Sequence, residues 1–129
     1  MSGIKTVAVL GAGTMGHSIA IAIMQRMIPV RLVDVSAPAL DNAREKISNY
    51  LENRVKDDKL TLQESNKIFR GLNTFTQIDR GVAGADMVIE AVPENPDLKI
   101  EIFKRLDKLC PPGVILATNT SGIPINSVP

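Results

Sequence analysis

A strand that runs straight into glycines constrains this chain more than any other feature. Val7-Ala8-Val9-Leu10 is followed by Gly11-Ala12-Gly13-Thr14-Met15-Gly16, and the next apolar stretch, Val30-Arg31-Leu32-Val33, ends on an acid, Asp34. Three glycines at this spacing arise easily by chance. Placed between a strand and a helix, with an acid closing the second strand, they mark a dinucleotide site. Gly11 lets the chain leave the strand in a tight turn. Gly13 has no Cβ, so the backbone can approach a pyrophosphate, and Gly16 lets the following helix pack close to the sheet. That helix, opening at Thr14, points free N–H groups and its positive dipole end at the phosphates. Gly11, Ala12, Gly13, Thr14, Met15 and Gly16 are therefore the expected cofactor cradle.

Asp34 lies eighteen positions past Gly16, where a carboxylate can accept bonds from the adenine-ribose hydroxyls. It would repel a 2′-phosphate. At about 4 Å and an effective dielectric near 20, that repulsion is on the order of 4 kcal/mol per unit charge before screening. The expected cofactor is NAD rather than NADP. The competing reading is a glycine turn in an α/β fold with no ligand, and the acid weighs against it.

The periodicity supports alternating strands and helices. The first strand is expected over about Lys5 to Leu10, then a helix with Ile19, Ala22, Ile23 and Met27 on one stripe, ended by Pro29. Ser36 is a plausible cap for a long helix facing inward with Leu40, Ala43, Ile47, Tyr50 and Leu51. Its charges alternate in sign, as on a solvated face. Thr61-Leu62-Gln63-Glu64 has the form of a capping box and opens a short helix closed by Gly71. A third strand near Leu72 to Phe75, a brief helical segment over Ile78 to Ala85, and a fourth strand, Asp86 to Val92, follow. The fourth strand is apolar nearly throughout, as in a sheet covered on both faces. Within it, Glu90 is expected as a hydrogen-bonded structural carboxylate rather than a catalyst. Asn95-Pro96 starts a helix with Ile100, Phe103, Leu106 and Cys110 inward, and a fifth strand covers Val114 to Ala117. The expected architecture is a Rossmann-type α/β fold, a doubly wound parallel sheet in the order 3-2-1-4-5, cut short after the fifth strand. Ligands bind outside the carboxyl ends of such strands. Three polar sites lie there: the glycine turn, the Val92-Pro93-Glu94 corner, and Asn119 to Ser121.

Composition bounds the rest. The 129 residues suffice for one domain with a real core, and 44% apolar with 22% charged is ordinary for a globular chain. The net charge is +1, with both signs interspersed and no like-charge run beyond two residues, which argues against a nucleic-acid surface or an acidic tail. One cysteine, Cys110, excludes an internal disulfide and a cysteine metal site; a buried thiol is expected there. Met1 to Lys5 leads at once into the first strand, with no leader pattern and no apolar run of membrane length. No membrane partner and a cytoplasmic, reducing setting are expected.

The three polar sites together resemble the L-3-hydroxyacyl-CoA dehydrogenases of fatty-acid β-oxidation. The matching stretches are Gly11 to His17, Ala85 to Asn95, Lys99, Pro111 to Ala117, and Asn119-Thr120-Ser121. The resemblance implies NAD-dependent oxidation of a 3-hydroxyacyl thioester, with an acyl-CoA substrate and a homo-oligomer. By position it implies that Asp34 holds the adenine ribose. Ala91, Glu94 and Lys99 would lie along the cofactor, and Asn119 and Ser121 would sit where nicotinamide meets substrate. Arg54 and Lys56 would face the CoA phosphates. Thr118, Gly122 and Pro93 depart from the residues common in the family. The family's catalytic base is a histidine about twenty residues beyond the position matched by Ser121, paired with a later glutamate. Residues 1–129 hold one histidine, His17, at the phosphate end of the first helix, where it is a variable helix-start residue. The chain is therefore expected to be the NAD-binding portion of such a dehydrogenase, with no catalytic residue of its own, and to self-associate through the open edge of the fifth strand. Two other readings remain: a related 3-hydroxy-acid dehydrogenase of gulonate or carnitine type, and a stand-alone NAD-binding module.

Overall fold

The computed structural model describes residues 4–92 and 96–118. Five parallel strands are joined by five helices, two of them between β2 and β3: β1 (Val7–Leu10), α1 (Thr14–Met24), β2 (Val30–Val33), α2 (Ala37–Lys56), α3 (Leu62–Phe69), β3 (Leu72–Phe75), α4 (Ile78–Val82), β4 (Met87–Glu90), α5 (Pro96–Leu109) and β5 (Ile115–Thr118). The sheet order is β3-β2-β1-β4-β5, as the sequence pattern predicts. The register aligns the last residues of all five strands in one row: Phe75, Val33, Leu10, Glu90 and Thr118. Among the described residues β5 pairs with β4 alone.

Strand alternation divides the core in two. Val7, Val9, Val30 and Leu32 face Ala20, Met24, Leu40, Ala43, Ile47 and Leu51 of α1 and α2. Ala8, Leu10, Val33 and Val88 face Val82, Ala85, Ile102, Phe103 and Leu106 on the other side. Each fully buried aliphatic or aromatic side chain contributes about 1.5–3 kcal/mol relative to exposure. That outweighs intrinsic helix propensity as the force holding these helices.

The caps form as expected. Ser36 Oγ accepts from the Ala39 N–H at 3.2 Å. The Thr61–Glu64 box closes from both sides, at 2.8 and 3.0 Å. Several helix faces differ from the sequence expectation. On α1 the buried residues are Gly16, Ala20 and Met24, while Ala22 and Met27 are exposed. The helix presses onto the glycine turn at Gly16, and that contact sets its rotation. It ends at Met24, well before Pro29, and Met27 takes a left-handed φ of 64°. Tyr50 and Ile100 are exposed. On α5 the inward face is Lys99, Ile102, Phe103 and Leu106. Strand four is shorter than the apolar run, because Asp86 lies before it and its Oδ2 accepts the Lys5 and Thr6 N–H groups.

Candidate functional site

The residues just past the aligned row form the floor of the site. The Gly11 N–H donates to Val33 O at 2.7 Å, the Asp34 N–H to Phe75 O at 3.1 Å, and the Ala91 N–H to Leu10 O at 2.8 Å. β1, β2 and β4 thus each hand their first loop residue to a neighbour, so these three loops leave the sheet side by side. Gly11 has φ 105°, and a Cβ there would stand 2.7 Å from Ala91 O. A Cβ on Gly16 would stand 1.7 Å from Gly11 O. These two glycines are required by the close approach of three backbone segments. Gly16 thus packs α1 against the turn itself, a closer partner than the sheet.

Gly13 is different. A Cβ on it would meet nothing within 4 Å. It is the N-cap of α1 and, lacking a side chain, gives the first turn no cap. Gly13, Thr14 and Met15 are exposed, whereas Ala12 and Gly16 are buried. An uncapped eleven-residue helix with open space before its first N–H groups suits an anion.

Asp34 closes the cradle from the β2 side. Its Oδ2 accepts the Ala12 N–H and its Oδ1 the Ser36 N–H, both at 2.9 Å. The half-buried carboxylate therefore fixes the glycine turn as well as facing the site. A carboxylate has about four acceptor positions, so capacity is left for a diol.

Beside it lies a cleft of about 580 Å³. Val33, Asp34 and Val35 form one wall, Gln77 and Ile78 the floor, and Leu98, Ile102 and Arg105 of α5 the other. Sequence reasoning missed this cleft, because α5 and the β3–α4 loop come together only through the fold. One signal was present: Val35, an apolar residue directly after the acid, is 90% exposed.

On the other side of the glycine turn, Glu90 is fully buried, and its carboxylate accepts the Val92 N–H at 2.6 Å. Lys99 Nζ donates to both carboxylate oxygens, at 3.1 and 3.0 Å. The Thr118 hydroxyl donates to Oε1. The structural reading of Glu90 fits this geometry. Lys99, expected along the cofactor, is only 3% exposed and directs its ammonium to this carboxylate. Thr118, a departure from the common family residue, supplies the hydroxyl of this contact.

His17 turns its ring back to the helix, with Nδ1 3.1 Å from Gly13 O. Arg54 stacks over the Tyr50 ring at 5.9 Å, and Lys56 is exposed at the end of α2. Ala91 is half-buried beside Gly11. Glu94, Asn119 and Ser121, with Pro93, Thr120 and Gly122, lie outside the described residues. Among the described residues no group of acids, histidines or cysteines could hold a metal, and no helix is long and apolar enough to cross a membrane. Cys110 is half-buried, and burial raises its thiol pKa above the ordinary value.

The chain matches the family model described as "3-hydroxyacyl-CoA dehydrogenase, NAD binding domain" over residues 6–129. It is 40% identical to 3-hydroxyadipyl-CoA dehydrogenase of Escherichia coli, over 99% of this chain and 27% of that protein. It is 35% identical to a probable 3-hydroxybutyryl-CoA dehydrogenase of Bacillus subtilis, over 97% of this chain and 43% of the relative. The crystal structure of (S)-3-hydroxybutyryl-CoA dehydrogenase from Ralstonia eutropha superposes with a TM-score of 0.90 at 36% identity, covering 97% of this chain and 44% of that one. The chain thus spans less than half the length of each of these relatives.

Proposed function

The chain belongs to the family of 3-hydroxyacyl-CoA dehydrogenase NAD-binding domains, and we propose that it is the cofactor-holding portion of an enzyme that oxidises 3-hydroxyacyl-CoA to 3-ketoacyl-CoA. The observation that carries the reading is the open, uncapped helix start at Gly13 flanked by the Asp34 carboxylate. NAD, when bound, accepts the hydride. The protein's own part is to hold it. The α1 N-terminus takes the diphosphate, Asp34 takes the adenine ribose, and the apolar cleft along Val35, Leu98 and Ile102 takes the adenine. Ala91 lines the path beyond Gly11. Glu94, Asn119 and Ser121 are assigned to the nicotinamide and substrate end on the family pattern, and Arg54 and Lys56 to the CoA phosphates.

Proton removal from the substrate hydroxyl needs a base, and His17 is occupied at the phosphate end of α1. We therefore assign no catalytic residue to residues 1–129 and expect these residues alone to bind cofactor without turnover. The homo-oligomer and the cytoplasmic setting belong to the same proposal. Fusing residues 1–129 to the remainder of the Bacillus subtilis relative tests it. The fusion should bind NADH and reduce NAD with 3-hydroxybutyryl-CoA, while the 129 residues alone bind NADH and show no reduction. A fusion that binds NADH and oxidises free 3-hydroxy acids but not the thioester would overturn the substrate assignment.

A further inference from the structure

The Glu90–Lys99 pair is the one buried ion pair among the described residues; the family pattern sets Lys99 along the cofactor but gives no part to Glu90 or to the pairing itself. Its partners show what it does. Glu90 ends β4, Thr118 ends β5 in the adjacent register position, and Lys99 sits in the first turns of α5. The carboxylate accepts the Val92 N–H at 2.6 Å, and the ammonium donates to Val92 O at 3.3 Å. The pair therefore grips both backbone polar groups of one corner residue. That corner abuts the cradle, because Ala91 O lies 2.7 Å from where a Gly11 Cβ would be. Asp34 places the adenosine half of a dinucleotide at the end of β2, and the diphosphate crosses at Gly13. The other half must then run over β1 toward the ends of β4 and β5, above this corner.

We propose that Glu90, Lys99 and Thr118 form a positioning unit that sets the β4–α5 corner and the end of β5 under the nicotinamide half of the cofactor. The unit acts through the backbone of Val92 and not by direct contact with the phosphates. This rests on the cofactor assignment above. A buried ion pair is weak evidence for stability, since apolar residues of similar volume often replace one without loss. A pair whose spare hydrogen bonds hold a loop backbone has a different use: it fixes where that loop lies.

The test compares NADH with ADP-ribose, which lacks the nicotinamide, in fluorescence and calorimetric titrations of the 129-residue chain. Glu90→Gln should raise the Kd for NADH about tenfold, the scale of one lost charge-assisted contact, and move that for ADP-ribose less than about twofold. Glu90→Leu/Lys99→Met should recover the thermal midpoint of the parent but not its NADH affinity. A double variant that regains NADH affinity with stability would reduce the pair to a packing element and overturn the proposal. Equal weakening toward both ligands would also overturn it, by pointing to direct phosphate contact from Lys99 or to general loosening. If the parent chain binds neither ligand, the cofactor assignment itself fails. If it binds both and no variant separates them, only the positioning role fails.

Discussion

Replacing each motif glycine by alanine should split three roles that the sequence pattern lumps together. At Gly16 the new Cβ would lie 1.7 Å from Gly11 O and 2.7 Å from Gly11 C, both backbone atoms that cannot rotate away. Helix α1 must back off by more than an ångström. Overpacking of that kind costs about 1–3 kcal/mol, against which alanine's better helix propensity returns about 1 kcal/mol. At Gly11 the clash with Ala91 O at 2.7 Å adds to a φ of 105°, a conformation that costs an L residue about 1–3 kcal/mol. At Gly13 the Cβ meets nothing, and φ −74° with ψ −161° is open to any residue. There the lost chain entropy of glycine, about 0.4–1 kcal/mol, and its advantage of similar size over alanine as an N-cap nearly cancel. Thermal unfolding followed by circular dichroism should show Gly11→Ala and Gly16→Ala melting several degrees low, at about 2–8 °C per kcal/mol. Gly13→Ala should melt near the parent yet bind NADH more weakly, and Gly13→Val should not bind it. Gly13→Ala as unstable as Gly16→Ala, or a stable Gly13→Val that binds NADH normally, would refute the division of labour.

The remaining predictions concern single side chains. Asp34→Asn should cut the preference for NADH over NADPH about tenfold or more, since screening at a half-buried site leaves only part of the roughly 4 kcal/mol repulsion; an unchanged ratio of the two dissociation constants in a folded variant would rule out charge as the selector. Either orientation of that amide also leaves the Ala12 or the Ser36 N–H facing an NH₂ group, so some stability should go with it. Thr61→Ala opens the capping box of α3 and should lower urea stability by about 1 kcal/mol without touching NADH affinity. Burial raises the Cys110 pKa, so the folded state favours the protonated thiol. Its contribution to stability is full below the unfolded thiol's pKa and is lost as pH rises past it. Iodoacetamide at pH 8 should therefore modify Cys110 more slowly in the native chain than in urea; equal rates would contradict the burial.

What was legible in the sequence was whatever rests on local rules. The glycine turn, the capping box, Ser36 and the apolar strands each announce themselves within a few residues, and the strand order follows from right-handed crossovers. What was not legible depends on register and on helix rotation. The ion pair of Lys99 is one such case: the family pattern sets this lysine along the cofactor, while four of the first six residues of α5 are polar or proline and its carboxylate partner is nine positions back on a strand. Ile100 was placed inward for its hydrophobicity, yet α5 is turned so that Lys99, Ile102 and Phe103 face the sheet. The buried carboxylate of Glu90 is what makes that rotation favourable. The cleft beside Asp34 went unseen for the same reason, since it needs Leu98 and Ile102 beside Val35.

The two acids at or just past the row of strand ends differ in what each leaves open to a ligand. Asp34 and Glu90 flank β1 on either side of the glycine turn, and each accepts the N–H two residues ahead, Ser36 in one case and Val92 in the other. Both also bind an element beyond their own loop: Asp34 the Ala12 N–H of the turn, Glu90 the ammonium of α5 and the hydroxyl of β5. They differ in exposure. Glu90 is fully buried, and a charge there needs Lys99 to offset its desolvation. Asp34 is only half-buried, with no ion pair among the described residues and lone pairs still open to the site. A ribose diol can therefore reach Asp34 and cannot reach Glu90. The same local device, a carboxylate folded back on its own loop, stays open to a ligand on the β2 side and is a covered strut on the β4 side, and the difference is set by whether α5 covers it.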